Sequence, residues 1–174
     1  MNQRLQQLFD KLEAQRHEVL KSVEQLSDEA FSRKPSAGKW SVSELLAHLQ
    51  TSEQLSVQYL NKKILGIQQY KDTTLYHEIL MLLVKASQRL PLKFRAPKVV
   101  ITNTPSFATR EQLIAQWDKT RAELKSLLEK FSDHHISKQV YRHPRAGMIN
   151  IQHALIFFRE HVIHHRPQIN RLLK

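Results

Sequence analysis

A chain of 174 residues with 41% hydrophobic and 25% charged side chains has the composition of a soluble globular protein and the length of one domain, residues 1–174. It contains no cysteine, which excludes disulfides, thiolate metal ligands and cysteine nucleophiles; any thiol chemistry must use a thiol carried by a small molecule. The net charge of +11 invites an anionic partner, but Lys and Arg are spread along every segment and no RNP-like or zinc-finger pattern occurs, which argues against nucleic acid.

Three glycines and six prolines leave few tight turns and favour a helical protein. Residues 4–26 carry Leu5, Leu8, Phe9, Leu12, Leu20 and Val23 at three- and four-residue steps, the stripe of an amphipathic helix. The opening MNQRLQQLFDKLEAQRHEVL is a poor signal peptide because charges break its apolar runs. No stretch reaches the roughly 18 apolar residues needed to span a bilayer. A cytoplasmic protein with no membrane partner is expected.

Ser27, Pro35 and Gly38 mark a loop. Ser41, with Glu44 three residues on, reads as a capping box, and a second helix follows to about Ile64. Its apolar arc is wide (Leu45, Leu46, Leu49, Leu55, Val57, Leu60), so part of it needs cover from another subunit or from a crossing segment. Gly66 interrupts the pattern, and residues 74–90 read as a shorter helix striped by Leu75, Ile79, Leu82 and Leu83. RLPLKFRAPKVVITNTPSF then reads as an extended crossover, partly overlapping the densest basic cluster, Lys85, Arg89, Lys93, Arg95 and Lys98.

Thr109 and Gln112 suggest a second capping box, opening a helix with Leu113, Ile114, Trp117, Leu124, Leu127, Leu128 and Phe131 in its stripe. A loop with His143, Pro144 and Gly147 leads to Asn150, a fair N-cap for a last helix reaching about Leu173. Four long amphipathic helices with one long connection between the second and third predict an all-α, four-helix bundle with a crossover.

The last helix carries the most informative feature, His161 and His165. Four residues apart, they stack on one helix face and can close on one metal ion. At about 100° per residue, His165 falls within the apolar face and His161 about 40° to one side, with Gln168 beside it. His164 turns toward the polar side and His153 further still. His48 lies at the edge of the second helix's stripe, one turn after Glu44.

A single histidine on an apolar face is more often a satisfied core residue than a ligand. Three imidazoles buried together need partners, and one shared cation would satisfy them all. Three such ligands leave a position open for water or substrate. Because free imidazole titrates near 6.5, binding should weaken as pH falls through roughly 6.

KWSVSELLAHL (Lys39–Leu49) and HVIHHRPQI (His161–Ile169), in that order, resemble the DinB-like (YfiT-like) superfamily of metal-dependent enzymes. KFRAPKVV and HPRAGMINIQHALIFF strengthen the resemblance, which covers about residues 4–173. It implies a four-helix bundle of unusual connectivity, commonly a homodimer. It also implies a divalent metal (nickel, zinc, manganese or iron) held by His48, His161 and His165, with His164 not a ligand. Relatives include thiol-dependent transferases and an isomerase that use bacillithiol or mycothiol.

Pro167 stands where the family usually has glycine. It removes the amide that would bond the Ile163 carbonyl, so a kink after His165 is expected.

Two functional expectations follow. One is a metal-dependent enzyme, a thiol-dependent transferase or a hydrolase. It would use a low-molecular-weight thiol as co-substrate and act on a small, anionic molecule, with Glu44 and Gln168 orienting the ligands or the nucleophile. The other is a non-catalytic helical metal-binding or dimeric interaction module of the stress-response type.

Overall fold

The computed structural model describes residues 1–90 and 98–174. Helices dominate: α1 (Gln3–Ser22), α2 (Asp28–Ser32), α3 (Val42–Lys63), α4 (Leu75–Arg89), α5 (Lys98–Asn103), α6 (Arg110–Leu128) and α7 (Ile151–Leu172). A small antiparallel hairpin, β1 (Tyr141–His143) and β2 (Gly147–Ile149), precedes α7. No helix among the described residues is long and apolar enough to cross a membrane.

α1 and α3 each pack against both α6 and α7, so α1, α6, α3 and α7 close into a four-membered ring. Two apolar clusters fill it. One gathers Leu5, Leu12, Leu60, Leu124, Leu128 and Leu155; the other gathers Val19, Leu45, Leu46, Leu113, Trp117 and Val162. Burying each such side chain contributes roughly 1.5–3 kcal/mol. Going along the chain, α1 and α7 run from the first cluster to the second, and α3 and α6 run back. The connection between α3 and α6 must therefore return along the bundle, and α4 lies in it, packed on the outside of α7.

Local signals place the helix starts. Ser41 Oγ accepts from the Glu44 amide (3.1 Å) and Glu44 Oε2 accepts from the Ser41 amide (2.9 Å), the full capping box. At α6 only half of the expected box forms. Thr109 accepts from the Gln112 amide, while the Gln112 side chain reaches past the cap to the Ala108 amide (3.1 Å). Asn150 caps α7 by accepting from the His153 amide (2.9 Å).

Four expectations need correction. The loop after α1 contains the short helix α2, whose Phe31 plugs the second cluster. The loop around His143 is the β1–β2 hairpin. Part of the supposed extended crossover, Lys98–Asn103, is helical (α5); packing of buried Val100 and contact with α3 outweigh the weak helix propensity of its β-branched residues. The rest of that crossover, with Lys93 and Arg95, lies outside the described residues at 91–97.

The fourth correction concerns α4, where Leu75, Ile79, Leu82 and Leu83 are each more than half exposed. The helix instead buries Met81, Val84 and Gln88 against α7. Conversely, the wide arc of α3 is covered within the chain, by α2, α5, α6 and α7.

Candidate metal centre

α7 continues through Pro167 to Leu172, so His161 and His165 share one helical frame. α3 lies against α7 and brings His48 to the same place. The three rings form a nearly equilateral triangle: centroids are 4.9 Å apart for His161–His165 and 5.2 Å for His48–His161 and His48–His165. One nitrogen from each ring lies within 4.8 Å of the other two. Nitrogens bound at 2.0–2.1 Å to a single ion would sit about 3.4 Å apart, a distance small ring rotations reach. The donor set fits a divalent ion.

The electrostatics agree. Burial, then the neighbouring His165, pushes the His48 imidazole down to about 4. Burial likewise takes His165 to about 4, against its hydrogen bond to Gln168, which works the other way. His161 is lowered well below its ordinary value, by burial first and then by His165 and His48. All three rings are neutral at pH 7 and offer lone pairs. Proton competition therefore begins well below the pH of 6 that free imidazole suggests.

Gln168, placed beside His161 by the helical wheel, instead meets His165: its Oε1 accepts from His165 Nδ1 (3.2 Å). With the proton on Nδ1, the His165 Nε2 lone pair is left for a metal. Glu44 does something else. Its carboxylate completes the α3 cap and pairs with Lys34 (2.7 Å), so it holds no ligand ring. Burial raises its pKa, but Lys34 and the Ser41 amide outweigh that and hold it below the usual range.

His164 leaves the triangle and donates from Nδ1 to the Gln88 carbonyl (3.0 Å), tying α7 to the end of α4. His153, read as pointing to the polar side, is instead buried, with Nε2 2.9 Å from Glu78 of α4. The packing of α4 over that face makes the difference.

Several contributors were not legible as site residues. The Trp40 ring lies 5.0 Å from His48, and Phe157 stacks on His161 at 5.7 Å with an interplanar angle of 12°. These two aromatics flank the histidines. A cavity of about 200 Å³ opens beside His48, lined by Trp40, Glu44, Ile101, Thr104, Pro105 and Ser106. His143 is buried against Phe157 (4.4 Å), with Nδ1 accepting from the Arg145 and Ala146 amides, and burial takes it to about 4. Its place in HPRAG, within a segment that strengthens the resemblance, was its signal in the sequence.

A buried charge network adjoins the site. Glu53 of α3 makes a bidentate pair with Arg121 of α6 (2.6 and 2.9 Å) and accepts from Trp117 Nε1 (3.4 Å). Arg121 also meets Glu13 (3.3 Å), which pairs with Arg16 (2.9 Å), and Arg16 bonds Asp118.

Among families of known proteins, the sequence model described as the DinB superfamily matches residues 11–169. No curated protein and no solved structure matches the chain.

Proposed function

The chain belongs to the DinB superfamily, and on that premise we propose that it is a metal-dependent enzyme, a thiol-dependent transferase or a hydrolase, whose His48, His161 and His165 hold a divalent ion. The observation that carries the reading is the convergence of three neutral imidazoles beside a cavity large enough for a small molecule. A bound ion would supply Lewis acidity, lowering the pKa of a water or an incoming thiol so that a nucleophile exists near neutral pH.

The chain's own residues do the rest. Gln168 fixes the tautomer of His165. Trp40 and Phe157 wall the rings from solvent and keep the local dielectric low. Trp40, Ile101 and Pro105 give the substrate an apolar bed, with Thr104 and Ser106 as polar contacts. With no cysteine of its own, the chain needs an external thiol such as bacillithiol for transfer, and the net charge of +11 suits an anionic one in the cytoplasm.

Metal analysis of untagged protein, followed by a screen of low-molecular-weight thiols against generic electrophiles, tests the reading. Bound nickel, zinc, manganese or iron near one per chain, and turnover abolished in His161→Ala, is the expected result. Protein that takes up no metal from any of the four would sink it.

A second reading, which can coexist with the first, is assembly through α4. Leu75, Tyr76, Ile79, Leu82 and Leu83 form an exposed apolar stripe, unusual for a monomer's surface. A homodimer would cover it. Sedimentation should show a dimer, and Leu82→Lys with Leu83→Lys should yield monomers; a wild-type monomer at high concentration would refute the idea.

A further inference from the structure

His161, like His48, is a candidate ligand whose orientation no protein hydrogen bond among the described residues explains, and of the two it alone borders a second, smaller cavity. His165 is fixed by Gln168, but among the described residues neither ring nitrogen of His161 is hydrogen-bonded to the protein. A ligating histidine normally donates its second N–H to a carboxylate, a carbonyl or a water, and that bond fixes its tautomer and basicity. Beside His161 lies a cavity of about 10 Å³, lined by Leu49, Ser52, Glu53, Phe157, Phe158 and Val162. That volume holds about one water molecule. The lining is apolar except for Ser52, Glu53 and the His161 ring, which together supply the two to four polar partners that a buried water requires.

Glu53 has acceptor capacity left. Its two oxygens offer about four lone-pair sites; Oε2 accepts from Arg121 Nη2 and Trp117 Nε1, while Oε1 lies 2.6 Å from Arg121 Nε without a hydrogen bond. We infer that a single ordered water in this cavity links the His161 ring N–H to the Glu53 carboxylate, so that Glu53 is the positioning residue for the third ligand. The inference rests on the metal-centre reading for its purpose, though not for its geometry. It also gives the buried pair with Arg121 a second role: the guanidinium holds the carboxylate in place, and works against the burial that raises its pKa.

The test uses the full chain and two readouts. Long-range proton–nitrogen NMR of the metal-free protein reports the His161 tautomer. Titration with Zn²⁺ against a competing chelator reports affinity. In the wild type, His161 should show one tautomer. In Glu53→Gln, and in Ser52→Val, which fills the cavity but leaves the Arg121 pair intact, the ring should become a mixture. Zn²⁺ affinity in both should fall about 10- to 100-fold.

Should Glu53→Gln fail to fold, Ser52→Val and the wild-type spectrum decide. A mixed tautomer in the wild type, or a fixed tautomer with unchanged Zn²⁺ affinity in Ser52→Val, overturns the proposal. Because the tautomer is read without metal, this outcome is separable from failure of the metal reading, which would show as wild-type protein that binds no Zn²⁺.

Discussion

The bundle contains two buried polar clusters side by side, and they are built on opposite principles. In the first, Glu53, Arg121, Glu13, Arg16 and Asp118 pair opposite charges across α1, α3 and α6, although Glu53 Oε1, Glu13 Oε1, Arg16 Nε and Arg121 Nε and Nη1 make no hydrogen bond. In the second, His48, His161 and His165 are neutral, close-packed and, apart from the Gln168 contact, not hydrogen-bonded to the protein among the described residues. A network of ion pairs holds helices in register. A cluster of neutral lone pairs is a set of ligands. The distinction lies in charge pairing, and burial by itself does not make it.

The sharpest way to break the comparison is to open the charged cluster. Arg121→Ala would leave Glu53 buried without its counter-charge, and should destabilise the protein by about 3–5 kcal/mol in denaturant unfolding. A loss below about 1 kcal/mol would mean that the network is solvated and not structural.

Opening the second cluster should do the reverse. His161→Ala should leave the stability of the metal-free protein within about 1–2 kcal/mol of wild type, yet lower Zn²⁺ affinity more than about 100-fold, since a ligand is worth more than its orienting partner. In the wild type, Zn²⁺ at about 100 times its Kd should add about 2.7 kcal/mol to stability. Equal affinity losses from His161→Ala and His164→Ala would show that the wrong member of the histidine doublet has been assigned.

The clusters also differ toward acid. In the unfolded chain the histidines titrate near 6.5, whereas in the metal-free folded chain His48 and His165 titrate at about 4. Between those values the unfolded state binds protons that the native state refuses, so stability should fall as pH drops from about 6.5 toward 4. His48→Gln combined with His165→Gln should flatten that slope. An unchanged slope in the double variant would assign the acid sensitivity to other groups.

The smallest effects separate the two neighbours of the site. Gln168→Ala should weaken Zn²⁺ binding about tenfold with little change in stability. His164→Ala should cost roughly 1 kcal/mol of stability, through the lost bond to the Gln88 carbonyl, and leave Zn²⁺ binding nearly untouched. A reversal of these two patterns in paired calorimetric titrations would exchange the roles given to Gln168 and His164.

What the sequence determined by itself was whatever depends on periodicity and local hydrogen bonding. The stripes of α1, α3, α6 and α7, the Ser41–Glu44 box and the Asn150 cap are short-range and were legible. So was the stacking of His161 over His165, because a four-residue step on a helix permits nothing else. His48 was a candidate from its place at the edge of the α3 stripe, and the resemblance strengthened it; its meeting with α7 needed the helices packed.

Tertiary structure alone decided matters where a residue had two environments open to it. α4 has apolar side chains on two faces, and only its contact with α7 chose which to bury; the same contact buried His153, which a helical wheel had turned toward solvent. Val99, Val100 and Ile101 read as extended from propensity, and packing against α3 made them helical. Glu44, placed by its spacing next to the metal ligands, was claimed by the helix cap and Lys34. Glu53 carries no signal in the sequence, and it is buried because α6 lays Arg121 and Trp117 over it. Glu44 apart, whose partners are close in the chain, the physical reason is common. Burial, charge pairing and hydrogen-bond satisfaction are properties of neighbours brought from far along the chain, as Glu53 and Arg121 are at a separation of 68, and no short window contains them.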